Sequence, residues 1–313
     1  MPRLARPVVL LLGLCGACTG ADPAPGGADS SPAVDGSDGS EGSNGGGDGP
    51  WAGHALLEEG RIYNVAHRGG AWLWPEHTAV AFQGAADAGA DVLELDLHAT
   101  SDGVIVVLHD DTVDRTTDGT GAVKGMTFAE LRALDAGYAF STDDGATHPY
   151  RGQGIQVPSL DEILEAHPSA LFNLEIKQQD PNIVAETIAL VRAHGLEERV
   201  VLGSFYDAVT REIRDSAPEI LTVFGTQEGL ELYQLAAAYE DSYVPPTALF
   251  AAPVEYAGLA MTAELVDKAH RVGVNIHAWT VNEPDEMVRV LDMGVDGIIT
   301  DDPVTLGAIL AER

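Results

Sequence analysis

From residue 62 to the C-terminus, short apolar runs alternate with longer amphipathic stretches, and this rhythm restricts the fold more than any other feature of the chain. Candidate strands are Ile62–Ala66, Asp91–His98, Val104–His109, Ala170–Lys177, Val200–Phe205, Ile220–Gly225, Leu249–Ala252, Val274–Thr280 and Gly297–Thr300. Helical patterns lie between most of them, at Thr78–Ala88, Asn182–Gly195, Ala208–Ser216, Ala263–Val272 and Pro284–Met293. Repetition of strand and helix predicts a parallel sheet covered by helices. The number of strands and the length of the domain favour a closed (β/α)8 TIM barrel over a doubly wound sheet. No glycine-rich dinucleotide fingerprint follows the first strand, which weakens the doubly wound alternative further. The rhythm breaks between about residues 110 and 158, where the chain is loop-rich. That interval predicts a small insertion after the second barrel strand, capping the active-site face.

Ahead of the barrel the composition changes character. Arg3 and Arg6 precede the apolar run Val8–Leu14, which is too short to span a bilayer as an anchor, so residues 1–18 read as a secretory signal. The only cysteines, Cys15 and Cys18, lie at its end. Cys-Gly-Ala-Cys resembles a bacterial lipoprotein processing site, with Cys15 where leucine is usual. The expected protein is therefore exported and held to a membrane through a lipid on Cys18; plain signal-peptidase cleavage, giving a periplasmic or secreted protein, is the alternative. Residues 19–60, rich in Gly, Ser and Asp, read as a flexible linker, leaving residues 61–313 as the folded domain, without a disulfide. With 49 acidic against 17 basic side chains the net charge is -32, a field that repels nucleic acid and anionic membrane surfaces. Oligomeric state leaves no signal in the sequence.

The stretch DVLELDLHATSDGVIVVLHD, Asp91 to Asp110, poses a problem for a core strand. Side chains alternate faces, so Val92, Glu94, Asp96 and His98 share one face and Leu93, Leu95 and Leu97 the other. FNLEIK repeats the pattern, with Asn173, Glu175 and Lys177 opposite Phe172, Leu174 and Ile176. If the apolar faces pack under helices, the carboxylates point into the barrel near the C-terminal ends of the strands, where barrel enzymes keep their chemistry. Buried carboxylates brought together repel one another and protonate unless a cation lies among them. A hard divalent ion, calcium, magnesium or manganese rather than zinc, suits all-oxygen ligands. The alternative is that Glu94 or Glu175 only pairs with Lys177 or an arginine.

Histidines at the ends of two strands extend the pattern. His67 closes the first strand in VAHRGG and His109 closes VIVVLH. Two imidazoles at one mouth suit acid–base chemistry at neutral pH, and Arg68 and Lys177 offer cationic donors to a phosphate. His98 is expected beside the site rather than in the chemistry. His54, His148, His167, His194 and His270 are expected to be solvated. Trp279 either walls the substrate pocket or fills the core.

HRGG…PEHT at His67–Thr78, LELDLHATSDGVIVVLHDDTVDRTT at Leu93–Thr117, VPSLDEIL at Val157–Leu164, NLEIK at Asn173–Lys177 and AWTVN…GVDGIITDDP at Ala278–Pro303 together resemble the glycerophosphodiester phosphodiesterase family, in order and across the whole domain. The resemblance implies a TIM barrel carrying a small insertion and a divalent ion, Ca2+ or Mg2+. It matches His67 and His109 to the acid–base histidines, Glu94, Asp96 and Glu175 to the metal ligands, and Arg68 and Lys177 to the phosphate contacts. The implied reaction is hydrolysis of a small-molecule glycerophosphodiester to glycerol 3-phosphate and an alcohol. A lysophospholipase D is the nearest alternative, and a barrel that binds without catalysis a more distant one. One departure stands out: His77 occupies the place where the family usually has asparagine.

Overall fold

The structure is a computed structural model that describes residues 51, 53–235, 240, 242–256 and 258–313. The expected signal segment 1–18, the lipid-bearing Cys18 and most of the expected linker lie outside the described residues. In chain order the strands are β1 (Tyr63–Ala66), β2 (Val92–Ala99), β3 (Ile105–Val107), β4 (Leu171–Ile176), β5 (Val200–Gly203), β6 (Leu221–Thr222), β7 (Leu249–Pro253), β8 (Glu255–Tyr256), β9 (Leu259–Ala260), β10 (Asn275–Trp279) and β11 (Gly297–Thr300). The helices are α1 (Ala79–Asp87), α2 (Phe128–Leu131), α3 (Leu160–Ala166), α4 (Val184–Ala193), α5 (Asp207–Ser216), α6 (Thr226–Gln234), α7 (Ala263–Arg271), α8 (Pro284–Leu291) and α9 (Pro303–Ala311).

Eight parallel strands, in the order β6-β5-β4-β2-β1-β11-β10-β7, form a nearly closed barrel with helices between them. Across the seam, Val223 bridges Leu249 in parallel and the Phe224 N–H donates to the Leu249 carbonyl at 3.1 Å. The predicted alternation is visible in the packing. Leu93, Leu95 and Leu97 join Phe172, Leu174 and Ile176 in the layer between barrel and helices. Val92, Val65, Leu171, Val201 and Ile299 fill the barrel interior below the acidic layer.

Three expectations are corrected. The Val104–His109 run does not join the parallel barrel: β3 pairs antiparallel with β2, Leu97 opposite Val107. Five residues, Thr100–Val104, connect the two strands, and a parallel return needs a crossover of a dozen or more. Second, packing begins ahead of Arg61. Leu56 is fully buried at the foot of the barrel, and the Tyr63 hydroxyl donates to the Ala55 carbonyl at 2.7 Å. Third, His54, expected in solvent, is buried, and its Nδ1 accepts the Leu56 N–H at 3.2 Å.

Helices α2, α3, α6 and α9 lie outside the predicted helical patterns. In α6 a Cβ at Gly229 would lie 2.8 Å from the Phe250 ring, so glycine lets the helix approach the sheet. The insertion has its own small core, in which Val106, Leu108, Val113, Val123, Leu131 and Val157 pack together. Thr127 and Glu130 close a capping box at the start of α2, and Ser159 and Glu162 another at α3, which ends the insertion.

Candidate active site

Register brings the acidic groups together. Asp96 on β2 lies directly beside Glu175 on β4, and Glu94 beside Asn173, so the two strands present their carboxylates at matching heights. One oxygen each from Glu94, Asp96 and Glu175 falls within 4.8 Å of the others. Lys177, one step beyond β4, reaches back to Asp96 Oδ1 at 3.2 Å and Glu175 Oε1 at 3.0 Å. On its other oxygen Asp96 meets His77 Nε2 at 2.8 Å. The Glu175–Lys177 pairing weighed from the sequence is therefore present, together with the converging carboxylates.

The end of β1 turns sharply to supply the next two groups. Arg68 has a left-handed backbone, φ 54°, and its N–H donates to Glu94 Oε2 at 2.7 Å. Gly69, at φ 80°, could not carry a side chain, because a Cβ would meet the Ala81 Cβ at 2.8 Å. The turn places the His67 Nδ1 2.6 Å from Asp301 Oδ1, past the end of β11, and its Nε2 3.3 Å from the Arg68 Nε. Asn282 fixes the far side of Asp301, donating to Oδ2 at 2.7 Å and accepting the Asp301 N–H at 2.8 Å. His109 lies two residues past β3, and the Leu108 N–H beside it donates to the Asp96 carbonyl at 3.0 Å. Its Nδ1 is 2.6 Å from Asp110 Oδ1. Both strand-end histidines are thus held by a carboxylate at Nδ1.

Charge is distributed unevenly across this cluster. Burial, and then the charge of Asp96, raise the Glu94 carboxyl well above the ordinary carboxylate value. Burial also raises Glu175, against the pull of Lys177, with Asp96 adding to the upward shift. Asp96 itself is driven far down: burial opposes its ionisation, but Lys177 and His77 outweigh it. For His67, burial disfavours the charged ring, yet the charge and hydrogen bond of Asp301 prevail and raise its pKa. A divalent cation fits this donor set, which consists of hard oxygens, two of them on carboxyls that burial and the charge of Asp96 push up and added positive charge would pull back down.

The remaining expected residues sit at the edge. Trp279, half-buried at the end of β10, donates its indole N–H to the Ala251 carbonyl at 3.0 Å and packs edge-on against Phe205 at 5.5 Å. Phe205 in turn carries Lys177 Nζ 5.5 Å from its ring centre, so Trp279 connects to the mouth through that ring. His98 is buried between Gln178 and the His109 carbonyl, 3.2 Å from the latter. Sequence reasoning missed Asp301, Asn282, Asp110, Glu76 and Arg115. Asp301 and Asn282 stood inside the ITDDP and TVN motifs, and strand-end acids opposite a strand-end histidine were the available signal.

The sequence profile of the Glycerophosphoryl diester phosphodiesterase family matches residues 67–305. A glycerophosphodiester phosphodiesterase of Caldanaerobacter subterraneus subsp. tengcongensis is 37% identical over 248 residues, covering 77% of this chain and 95% of its own. A human lysophospholipase D is 26% identical over 270 residues, covering 78% of this chain and 84% of its own. The crystal structure of a Silicibacter pomeroyi DSS-3 protein bearing the family name superposes with a TM-score of 0.69 at 31% identity, covering 82% of this chain and 96% of that one.

Proposed function

The chain belongs to the glycerophosphoryl diester phosphodiesterase family and is a phosphoric diester hydrolase, and from that premise we propose how its own residues perform the reaction. Glu94, Asp96 and Glu175 hold one divalent cation, Ca2+ or Mg2+, with Mn2+ an acceptable substitute. When bound, the cation supplies positive charge against the charge that develops on the phosphoryl oxygens. Arg68 and Lys177 bind and orient the phosphodiester through charge-assisted hydrogen bonds. One of His67 and His109 accepts the proton of the attacking hydroxyl, from water or from the substrate's own neighbouring alcohol. The other gives a proton to the departing alcohol oxygen as its bond to phosphorus breaks. Attack by the neighbouring alcohol gives a cyclic phosphate that water then opens. The net products are glycerol 3-phosphate and an alcohol.

The observation that carries this reading is the matched pair of dyads. His67 and His109 each meet an aspartate at 2.6 Å through Nδ1, which leaves Nε2 of each ring as the proton-handling atom. A binding barrel without catalysis would need neither.

Substrate choice is tested by incubating the protein with glycerophosphocholine and, separately, lysophosphatidylcholine, with Ca2+, with Mg2+ and with excess EDTA. The expected result is release of glycerol 3-phosphate from the short diester, abolished by EDTA. Turnover of the lysolipid alone would replace this substrate by that of a lysophospholipase D, and full activity in EDTA would remove the cation from the mechanism. The sequence of residues 1–18 supports export with a lipid on Cys18. Membrane contact through that lipid is the attachment we propose; among the described residues no helix is long and apolar enough to cross a membrane.

A further inference from the structure

Arg115 lies in the insertion, outside every group assigned above, yet it touches both halves of the site. Its Nε donates to Asp110 Oδ2 at 2.7 Å and Nη2 to Asp110 Oδ1 at 3.1 Å. The same guanidinium forks onto Glu76, Nη1 to Oε2 at 2.7 Å and Nη2 to Oε1 at 2.8 Å. Each of those carboxylates has a second partner. Asp110 Oδ1 holds His109 Nδ1 at 2.6 Å, and Glu76 Oε1 accepts the Arg68 Nη1 at 3.1 Å. An unbroken line therefore runs His109–Asp110–Arg115–Glu76–Arg68, joining an acid–base histidine to a phosphate-binding arginine.

We propose that Arg115 is a positioning residue that couples the two halves of the site, fixing His109 through Asp110 and Arg68 through Glu76. The fork geometry of a guanidinium is what the place requires: all three nitrogens are used in four bonds, which an ammonium cannot reproduce. Four of its five N–H groups are so engaged, and through them Arg115 acts on its neighbours. Glu76 is nearly buried and needs both arginines. Burial works against its charge, but Arg115 and Arg68 together bring its carboxyl down to about 2. The loop that carries Arg115 is itself tied down, since Thr112 bridges Ala122, the Val113 N–H donates to the Gly121 carbonyl at 3.0 Å, and Thr117 returns to Val113 at 3.1 Å. The insertion thus contributes alignment to the barrel's chemistry as well as cover.

This inference rests on the phosphodiesterase reading, so the wild-type protein is assayed first on glycerophosphocholine and on lysophosphatidylcholine; inactivity on both would overturn that reading, and this inference with it, and the variants are compared on whichever substrate turns over. With an active wild type, Arg115→Gln, Asp110→Asn and the double variant are compared for kcat, KM and thermal midpoint. Each single variant is expected to lose about tenfold or more in kcat, and the double variant to lose clearly less than the product of the two, because both act through His109. KM should rise in Arg115→Gln and stay near wild type in Asp110→Asn, since only the arginine also holds Glu76 against Arg68. Losses that multiply, or an Arg115→Gln kcat within about twofold of wild type, would overturn the coupling. Should Arg115→Gln not fold, Arg115→Lys carries the test: it keeps the charge and is expected to lose about tenfold as well, and full activity would overturn the proposal.

Discussion

Asp96 takes Lys177 on one oxygen and His77 on the other, while Glu94 and Glu175 on either side are pushed toward their neutral forms. At this residue scale the account predicts a proton count. Below their raised pKa values Glu94 and Glu175 hold protons; a cation that binds their oxygens favours the ionised form and expels them. Calcium titrations by calorimetry in two buffers of different ionisation enthalpy should therefore show net proton release at pH 7, shrinking toward zero as pH rises and the carboxyls ionise unaided. Binding with no release at neutral pH would remove the raised carboxyls from the site. Glu94, Asp96 and Glu175 were legible in the sequence because alternation along an apolar strand leaves a charge no neutral place to point. Their second partners were not: Asp301 reaches His67 from 234 positions away, and only the closing of the barrel makes them neighbours. His77 has a left-handed backbone at φ 58° and turns an imidazole onto Asp96, a contact no local rule announces.

The elements themselves were legible where apolar runs and helical patterns were long, and illegible where tertiary contact overrides local composition. β3 reads as one more strand of the series, and only the shortness of its connection reverses its direction. α6 carries Gly229 in its middle, and that glycine answers to a tertiary neighbour, the Phe250 ring. The start of the domain was misplaced for a related reason. Residues 53–60 look like the end of a polar linker, yet Leu56 packs with Tyr63, Val65 and Leu171 at the foot of the barrel. If that segment plugs the barrel, Leu56→Ala should cost about 2–4 kcal/mol of unfolding free energy, measured by urea denaturation. A change below about 0.5 kcal/mol would mark the segment as an appendage with no part in the core.

Over the whole molecule, 49 acidic against 17 basic side chains make a field hostile to anionic substrates, and the proposed cation, with Arg68 and Lys177 beside it, would set a local exception at one mouth. The barrel makes that exception available because its strands end together and its two acidic strands are neighbours. The central claim is that His67 and His109 divide the proton transfers of phosphodiester hydrolysis at this mouth. The measurement that tests it most directly is release of glycerol 3-phosphate from glycerophosphocholine by wild type, His67→Ala and His109→Ala, each checked for an unchanged circular-dichroism spectrum and for calcium binding. The account predicts losses in kcat of about 100-fold or more for either histidine, with the cation still bound. Wild-type turnover in both variants would contradict it.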